Sequence, residues 1–364
     1  MTNREQEILE RLRKNPLISQ SELAESLGIT RSSVAVHITN LMKKGYILGK
    51  GYIVREDDYV CVIGGSNIDI QGFPSSELIY KDSNVGEVKI SLGGVGRNIA
   101  ENLVRMGVNT RLISTIGDDV YGQKILDEAR MVGINMQDSL IVSGASTSTY
   151  LSILDDTKDM VLAISHMDIS DQMTVDFIKG KRHVIENAAF CVLDTNLPIE
   201  VLEYIVTAFK DKIFFLDTVS TTKANKVKDL IGYFHTIKPN KIEAEMLTGV
   251  KIIDEADLKK AVEILHQKGV KQVFISLGER GVFYSNSETS GVIRPPKIRI
   301  VNATGAGDAF IAALGLGFLK GMSTSETAEI AIAASIIALS HENTINPQMS
   351  EETIFEKVKE LKLC

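Results

Sequence analysis

Cysteine is scarce in this chain. Cys61, Cys191 and Cys364 are the only three in 364 residues, they lie far apart, and none forms a CxxC pair. That spacing excludes a disulfide framework and a cysteine zinc site, and it suits a reducing cytosol. The amino terminus, MTNREQEILE, is charged from its fourth residue and does not read as a signal peptide. The longest apolar run, Ile330–Leu339, is too short to span a bilayer and reads as a buried amphipathic helix. A cytoplasmic protein with no membrane partner is expected. Low-complexity stretches are missing. So are the GxxxxGK[ST] phosphate loop and the HRD catalytic loop, which excludes P-loop and protein-kinase chemistry.

The composition is that of an ordinary globular protein, 44% hydrophobic and 24% charged. The net charge of −7 is uneven. Residues 1–55 carry nine Lys/Arg against five Asp/Glu, and the rest of the chain is strongly acidic. Two modules with different partners follow from this split, although a modest local excess also arises by chance.

In the first module, residues 1–55, Ile8, Leu9 and Leu12 share a helical face. Ser19-Gln20-Ser21-Glu22 is a capping box for a second short helix, which Gly28 ends. Thr30 caps a third helix with Val34, Ile38 and Leu41 inward. Helix, helix, glycine turn, helix, followed by an extended Leu48–Val54, resembles a winged helix-turn-helix. DNA phosphates would be met by Arg31, Lys43, Lys44 and Lys50, and bases by Ser32, Ser33 and His37. A three-helix protein-interaction module is the alternative.

In the second module, residues 59–364, strand-like runs at Val60–Ile63, Thr110–Ile116, Ala189–Leu193, Lys212–Leu216, His235–Lys238 and Gln272–Leu277 alternate with amphipathic stretches. That alternation predicts an α/β fold with a mostly parallel sheet covered on both faces, its ligands at the carboxyl ends of the strands. Val88–Ser91, Thr149–Leu154 and Met160–Ile164 lack crossover helices. They are expected to build a small β lid from about residues 66–92 and 141–168.

The most informative string is Asn302-Ala303-Thr304-Gly305-Ala306-Gly307-Asp308. It is read as leaving a strand-like run, Ile298–Val301, and opening a helix at Ala309. Small residues let the backbone approach a phosphate, and free amides at a helix start form an anion hole. Asp308 in the first turn is then placed to take a proton from an attacking hydroxyl. An ordinary helix cap with a first-turn Asp is the plainer reading of the same string.

A second string, Gly93-Gly94-Val95-Gly96-Arg97-Asn98, removes much of that ambiguity. With Asn302–Asp308 it resembles the two signatures of the PfkB, ribokinase-like, sugar and nucleoside kinases, over nearly all of residues 59–364. The resemblance implies a Rossmann-like ribokinase fold, ATP with Mg2+, and a lid used for homodimerisation. Residue by residue it implies Asp308 as base, with Gly305, Ala306 and Gly307 as the anion hole. Asn67, Asp69, Gly93, Gly94 and Asn98 fall on sugar-binding positions. Asn240 and Glu243 match the NxxE motif near phosphate and Mg2+, which Glu243 can reach through water. Ser276 and Gly278 match a nucleotide-contact segment, and Asn343 borders the adenine or cation site. Asn302 stands where many members carry Asp, which leaves a monovalent-cation requirement open.

Within that family, the glycine string with Thr147–Leu151 and Ala163–Ile169 resembles the pseudouridine kinases, which act on a 5′-hydroxyl. Ser148, Thr149, Tyr150, His166 and Asn196 are offered as contacts to the base, with His166 standing where an acid or amide is expected. Ribose, uridine, adenosine or a keto-sugar acid are the alternative substrates. A ligand-sensing transcription regulator on a kinase fold is the rival class, and such a regulator would tolerate loss of Asp308, Asn240 or Glu243.

Overall fold

The computed structural model describes residues 1–16, 18–48, 58–157 and 159–361. The chain divides into two compact units, Met1–Asp58 and Tyr59–Cys364.

The first unit holds α1 (Asn3–Lys14), α2 (Gln20–Leu27) and α3 (Arg31–Lys43). Each start is capped locally: Thr2 and Ser19 form capping boxes with Glu5 and Glu22, and Thr30 accepts from the Ser33 amide. Gly28 closes α2 at φ +63°, a left-handed conformation that costs glycine little. Ile8, Leu12, Leu23, Val34, Ile38 and Leu41 form the core. The wing expected at Leu48–Val54, with Lys50, lies outside the described residues apart from Leu48.

The second unit is built on an eight-stranded sheet. Its strands are numbered in chain order with those of the lid: β1 (Val60–Ile63), β2 (Asn67–Pro74), β3 (Gly86–Gly93), β4 (Thr110–Ile113), β5 (Thr115–Gly117), β6 (Leu140–Val142), β7 (Thr149–Leu154), β8 (Met160–His166), β9 (Cys191–Asp194), β10 (Phe214–Asp217), β11 (Thr236–Ile237), β12 (Gln272–Ser276), β13 (Val282–Ser285) and β14 (Ser290–Ile293). The sheet order is β14-β13-β12-β11-β10-β9-β1-β4. The strands from β4 to β12 are parallel, and β13 and β14 add an antiparallel edge. Side chains alternate between two cores. Val62, Val192, Phe215 and Phe274 face one, and Ile63, Leu193, Leu216 and Ile275 face the other.

The helices of this unit are α4 (Val95–Arg105), α5 (Val120–Val132), α6 (Val175–Gly180), α7 (Arg182–Asn187), α8 (Ile199–Ala208), α9 (Thr221–Asn225), α10 (Lys241–Thr248), α11 (Glu255–Lys268), α12 (Ala306–Leu319), α13 (Thr324–Leu339) and α14 (Glu351–Leu361). Helix α13 carries the long apolar run. It is buried nearly all round rather than amphipathic, because α12 packs on one side and α14 on another. The chain enters β1, goes to β4 on one side and later to β9 on the other. This makes the carboxyl end of β1 the switch point at which open α/β sheets hold ligands.

Three local expectations are corrected. Thr110–Ile116 is two strands, since β5 leaves the main sheet to pair with β6. For the same reason β6 is not part of the lid. Ile298–Val301 is irregular rather than a strand: Pro295 and Pro296 remove two ladder donors, and Ile298 and Ile300 turn into a cavity instead. Helix α12 also starts three residues earlier than the sequence suggested, at Ala306.

The lid is a four-stranded sheet in the order β3-β2-β7-β8. Its register places Ile90, Ile70, Leu151 and Ile164 side by side on one face, and Ser91, Asp69, Tyr150 and Ser165 on the other.

Candidate active site

The carboxyl ends of β1, β9, β10 and β11 bring together residues that are far apart in the chain. After β1, the Gly65 amide donates to Asp194 Oδ2 at 2.8 Å, across the switch point. A methyl on Gly64 would fall 2.2 Å from the same oxygen. A methyl on Gly94 would fall 2.5 Å from the Gly65 carbonyl, and Gly94 starts α4 at φ +98°. These glycines are there because two backbones and a buried carboxylate meet with no room for a side chain.

At the entry to the lid, Asn67 Nδ2 donates to Asp69 Oδ1 at 2.6 Å. Burial pushes the Asp69 carboxyl above its ordinary range, offset in part by Asn67 and by the charge of Arg97. Gly93 lies against Asp69, so Asn67, Asp69, Gly93 and Gly94 form one polar lining.

Asn98, on the first turn of α4, reaches across the fold. Its Nδ2 donates to Asp308 Oδ2 at 2.8 Å, over 210 positions of sequence. Gly305 caps α12 at φ +84°, where a methyl would meet the Thr344 carbonyl at 2.1 Å. The amides of the following first turn have no acceptor within the helix. Burial and the nearby Asp217 charge push the Asp308 carboxyl up to about 7, against the opposing effects of Asn98 and Lys238. A carboxylate balanced near neutrality at an anion-binding helix start is suited to general-base work.

Sequence reasoning missed Lys238. It is buried, its Nζ lies 3.4 Å from Asp217 Oδ2, and a methyl on Gly307 would stand 3.1 Å from that Nζ. Burial works against its charge, but Asp217, Glu243 and Asp308 more than offset this and hold its pKa above the ordinary lysine value. A cation fixed at the mouth of an anion hole adds to the pull on a phosphoryl group. The one available signal was its place in Lys238-Pro239-Asn240, directly before the motif that was read.

Asn240 and Glu243 are brought together, but as a capping box at the start of α10. Glu243 accepts from the Asn240 amide at 2.8 Å, from Asn240 Nδ2 at 2.8 Å and from Thr218 Oγ1 at 2.6 Å. These three donors occupy most of the acceptor sites of the Glu243 carboxylate. Among the described residues no group of three or more His, Cys, Asp or Glu could hold a metal ion by itself. A divalent ion here would be held mainly by phosphate oxygens, as Mg2+ commonly is.

Beside the anion hole opens a cavity of about 540 Å³. Lys238, Ser276, Gly278, Ala306 and Gly307 supply part of its lining. Ile298, Ile300, Ile332 and Ile336 supply apolar walls. A cavity lined by both a lysine with backbone amides and apolar isoleucines suits a nucleotide. Asn343 does not line it. Asn302 Oδ1 accepts from the Thr304 amide at 2.9 Å while its Nδ2 donates to the Glu342 carbonyl at 2.8 Å, so the anion-hole loop is tied to the segment holding Asn343.

Two of the expected contacts are placed differently. Thr149 and His166 pair with each other and with the row of Ile68, on the lid face opposite Asp69. Asn196 stands near Gly65, with its carboxamide oxygen taken by Lys223 Nζ. In the first unit, Lys44 Nζ is held by both oxygens of Glu5, at 2.8 and 2.9 Å, and pulls the Glu5 carboxyl down to about 2. That lysine is ion-paired within the unit, although its side chain remains exposed. Arg31, Ser32 and Lys43 are exposed, and Ser33 and His37 half-buried.

A doubly covered parallel sheet, a small lid and a glycine-rich helix start facing a carboxylate define the class of small-molecule kinases that use an alcohol as phosphate acceptor. The comparisons agree. The model for the pfkB family of carbohydrate kinases matches residues 57–351, and one for winged helix-turn-helix DNA-binding domains matches residues 1–47. The chain belongs to the pfkB carbohydrate kinase family. It is 40% identical to the uncharacterized sugar kinase YeiI of Escherichia coli over 98% of this chain and 99% of that one. It is also 40% identical to the pseudouridine kinase of Escherichia coli over 84% of this chain and 98% of that one. A solved structure of a candidate sugar kinase from Clostridium perfringens is 44% identical, covers 84% of this chain and 97% of its own, and superposes with a TM-score of 0.78. The ribokinase of Arabidopsis thaliana complexed with ribose and ATP shares the fold at 22% identity, with a TM-score of 0.74 over 84% of this chain and 99% of that one.

Proposed function

We propose that this kinase transfers the γ-phosphoryl group of ATP to the 5′-hydroxyl of a ribose-containing nucleoside, with pseudouridine as the first substrate. The observation that carries the reading is the 2.8 Å contact between Asn98 and Asp308 at the mouth of the anion hole. The ribose docks on Asn67, Asp69, Gly94 and Asn98 beneath the polar lid face. Asp308 takes the proton of the attacking hydroxyl. The new bond joins that oxygen to the γ-phosphorus, the bond to the bridging oxygen breaks, and ADP leaves. The Gly305–Gly307 segment and Lys238 stabilise the charge on the transferring group. Mg2+, bound through phosphate oxygens and a water on Glu243, would neutralise further phosphate charge.

Support for pseudouridine over another sugar comes from the similarity to the pseudouridine kinase of Escherichia coli. The equal identity to YeiI, a sugar kinase of unassigned substrate, makes a direct test necessary. ADP release would be measured with MgATP against pseudouridine, uridine, cytidine, adenosine, ribose and fructose 6-phosphate. Turnover with pseudouridine well above the rest is expected. Preference for another acceptor discards the substrate and keeps the mechanism.

The exposed Val88, Ile90, Leu162 and Ile164 form an apolar patch on the outer lid face, which a second copy of the chain would cover in a homodimer. The N-terminal unit is read as a DNA-binding module that places α3 in the major groove.

A further inference from the structure

Asn98 faces Asp308 with its NH2 rather than its carbonyl, and something must hold it that way, since an asparagine amide turned by half a rotation occupies the same space. The neighbouring side chain does so. Arg97 Nη1 donates to Asn98 Oδ1 at 3.2 Å. An arginine has no acceptor to offer, so only the carbonyl oxygen of Asn98 can face it, and the NH2 is left for Asp308. Arg97 is itself immobilised. Its Nη2 is bonded to Glu101 Oε2, while Glu101 Oε1 accepts from Arg105 Nε at 2.8 Å. Arg105 Nη1 in turn donates to the Pro347 carbonyl at 3.1 Å. Arg97, Asn98 and Glu101 are all buried, so the contacts among these three are shielded from solvent.

We propose that Arg97 is a positioning residue for phosphoryl transfer, one that acts through Asn98 to keep an amide donor, and never an amide acceptor, against the Asp308 carboxylate. The inference rests on the reading of Asp308 as the base. It assigns work to a residue whose hydrogen bonds reach the Asp308 carboxylate by way of Asn98. Asp308 is faced by Asp217 from β10, Lys238 from the segment after β11, Asp194 from β9 and Asn98 from α4. Only the last of these has two orientations of opposite effect. With the NH2 inward the ionised carboxylate is favoured. With the carbonyl inward the protonated acid is favoured, because it alone can donate.

The experiment compares wild type with Arg97→Met and Arg97→Lys. Glu101 keeps Arg105 as partner in both variants. The pH dependence of kcat/KM is recorded, and the Asp308 carboxyl carbon is titrated by NMR without substrate. Arg97→Met is expected to move the acidic limb and the titration midpoint upward by about one pH unit. Arg97→Lys, which retains a donor, is expected to leave both near their wild-type positions. Should Arg97→Met fail to fold, Arg97→Leu, which also lacks a donor, is read in the same way. A variant that loses activity by the same factor at every pH, with Asp308 titrating as in wild type, would overturn the proposal and reduce Arg97 to a packing role. Absence of turnover by wild type on every acceptor would instead remove the kinase reading, and the NMR titration would still report whether Arg97 governs Asp308.

Discussion

The side-chain amide of Asn302 donates to the Glu342 carbonyl at 2.8 Å and so ties the anion-hole loop to the segment after α13. Its orientation is unambiguous, because its oxygen already accepts from the Thr304 amide at 2.9 Å. A monovalent cation bridging these two segments would need oxygens, and here an N–H points at one of them. The residues present do not fit such an ion. Turnover of the wild type is therefore expected to be unchanged when KCl is replaced by tetramethylammonium chloride. Asn302→Asp, which exchanges the donor for a charge, is expected to lose activity in that salt and regain it in KCl. Several-fold potassium activation of the wild type would refute this reading of the loop.

Removing the base is the simplest test of the mechanism. Asp308→Ala is expected to lower kcat by roughly 100- to 10,000-fold, the usual range for a general base, with KM for the nucleoside little changed. Lys238→Met is expected to cost on the order of 100-fold, as loss of one charge-stabilising donor does, and to raise KM for ATP as well. Near wild-type kcat in either variant would remove that residue from the mechanism.

The pH dependence follows from the Asp308 carboxyl, raised from 3.8 to about 7. The base is active only when ionised, so kcat/KM should fall about tenfold per unit below pH 7. Stability runs the other way. A carboxyl whose folded pKa exceeds its unfolded value contributes stability fully below the unfolded pKa and loses it as pH rises through the folded one. Asp308→Asn is expected to raise Tm at pH 8, with the gain shrinking toward pH 4. An equal Tm change at both pH values would show that Asp308 is not strained by its surroundings.

In the N-terminal unit, the Glu5–Lys44 pair separates two kinds of basic residue. Arg31→Ala and Lys43→Ala are each expected to reduce the salt slope of DNA binding by about one and to leave folding intact. Lys44→Ala should leave the slope unchanged and lower the melting temperature of the unit. A drop in slope for Lys44→Ala equal to the other two would contradict the pairing.

The lid predicts an association surface. Ile90→Asp with Leu162→Asp, both on the exposed apolar face, is expected to convert a dimer to a monomer in sedimentation experiments. A wild type that is monomeric at micromolar concentration would end this proposal.

Much of this protein was legible one segment at a time. Caps at Thr30 and Ser19, the left-handed Gly28 and the small residues before Asp308 declare themselves in sequence because each acts within three or four residues of itself. The apolar β-branched runs marked the buried strands for the same reason. The rest needed the tertiary structure. Nothing local pairs Asn98 with Asp308, or places the Lys238 ammonium against Gly307, since those contacts exist only after separate strands converge at one edge of the sheet. Thr149 and His166 show the limit most plainly. Thr149 is in a lid strand as expected and His166 in one that runs past the expected Ile164, yet strand parity turns both away from Asp69, and a shift of one residue in register would have turned them toward it. The sequence by itself determined which chemistry the chain carries, because helix starts and caps are local. The tertiary structure decided which of those groups meet, because register and packing join residues that the chain keeps hundreds of positions apart.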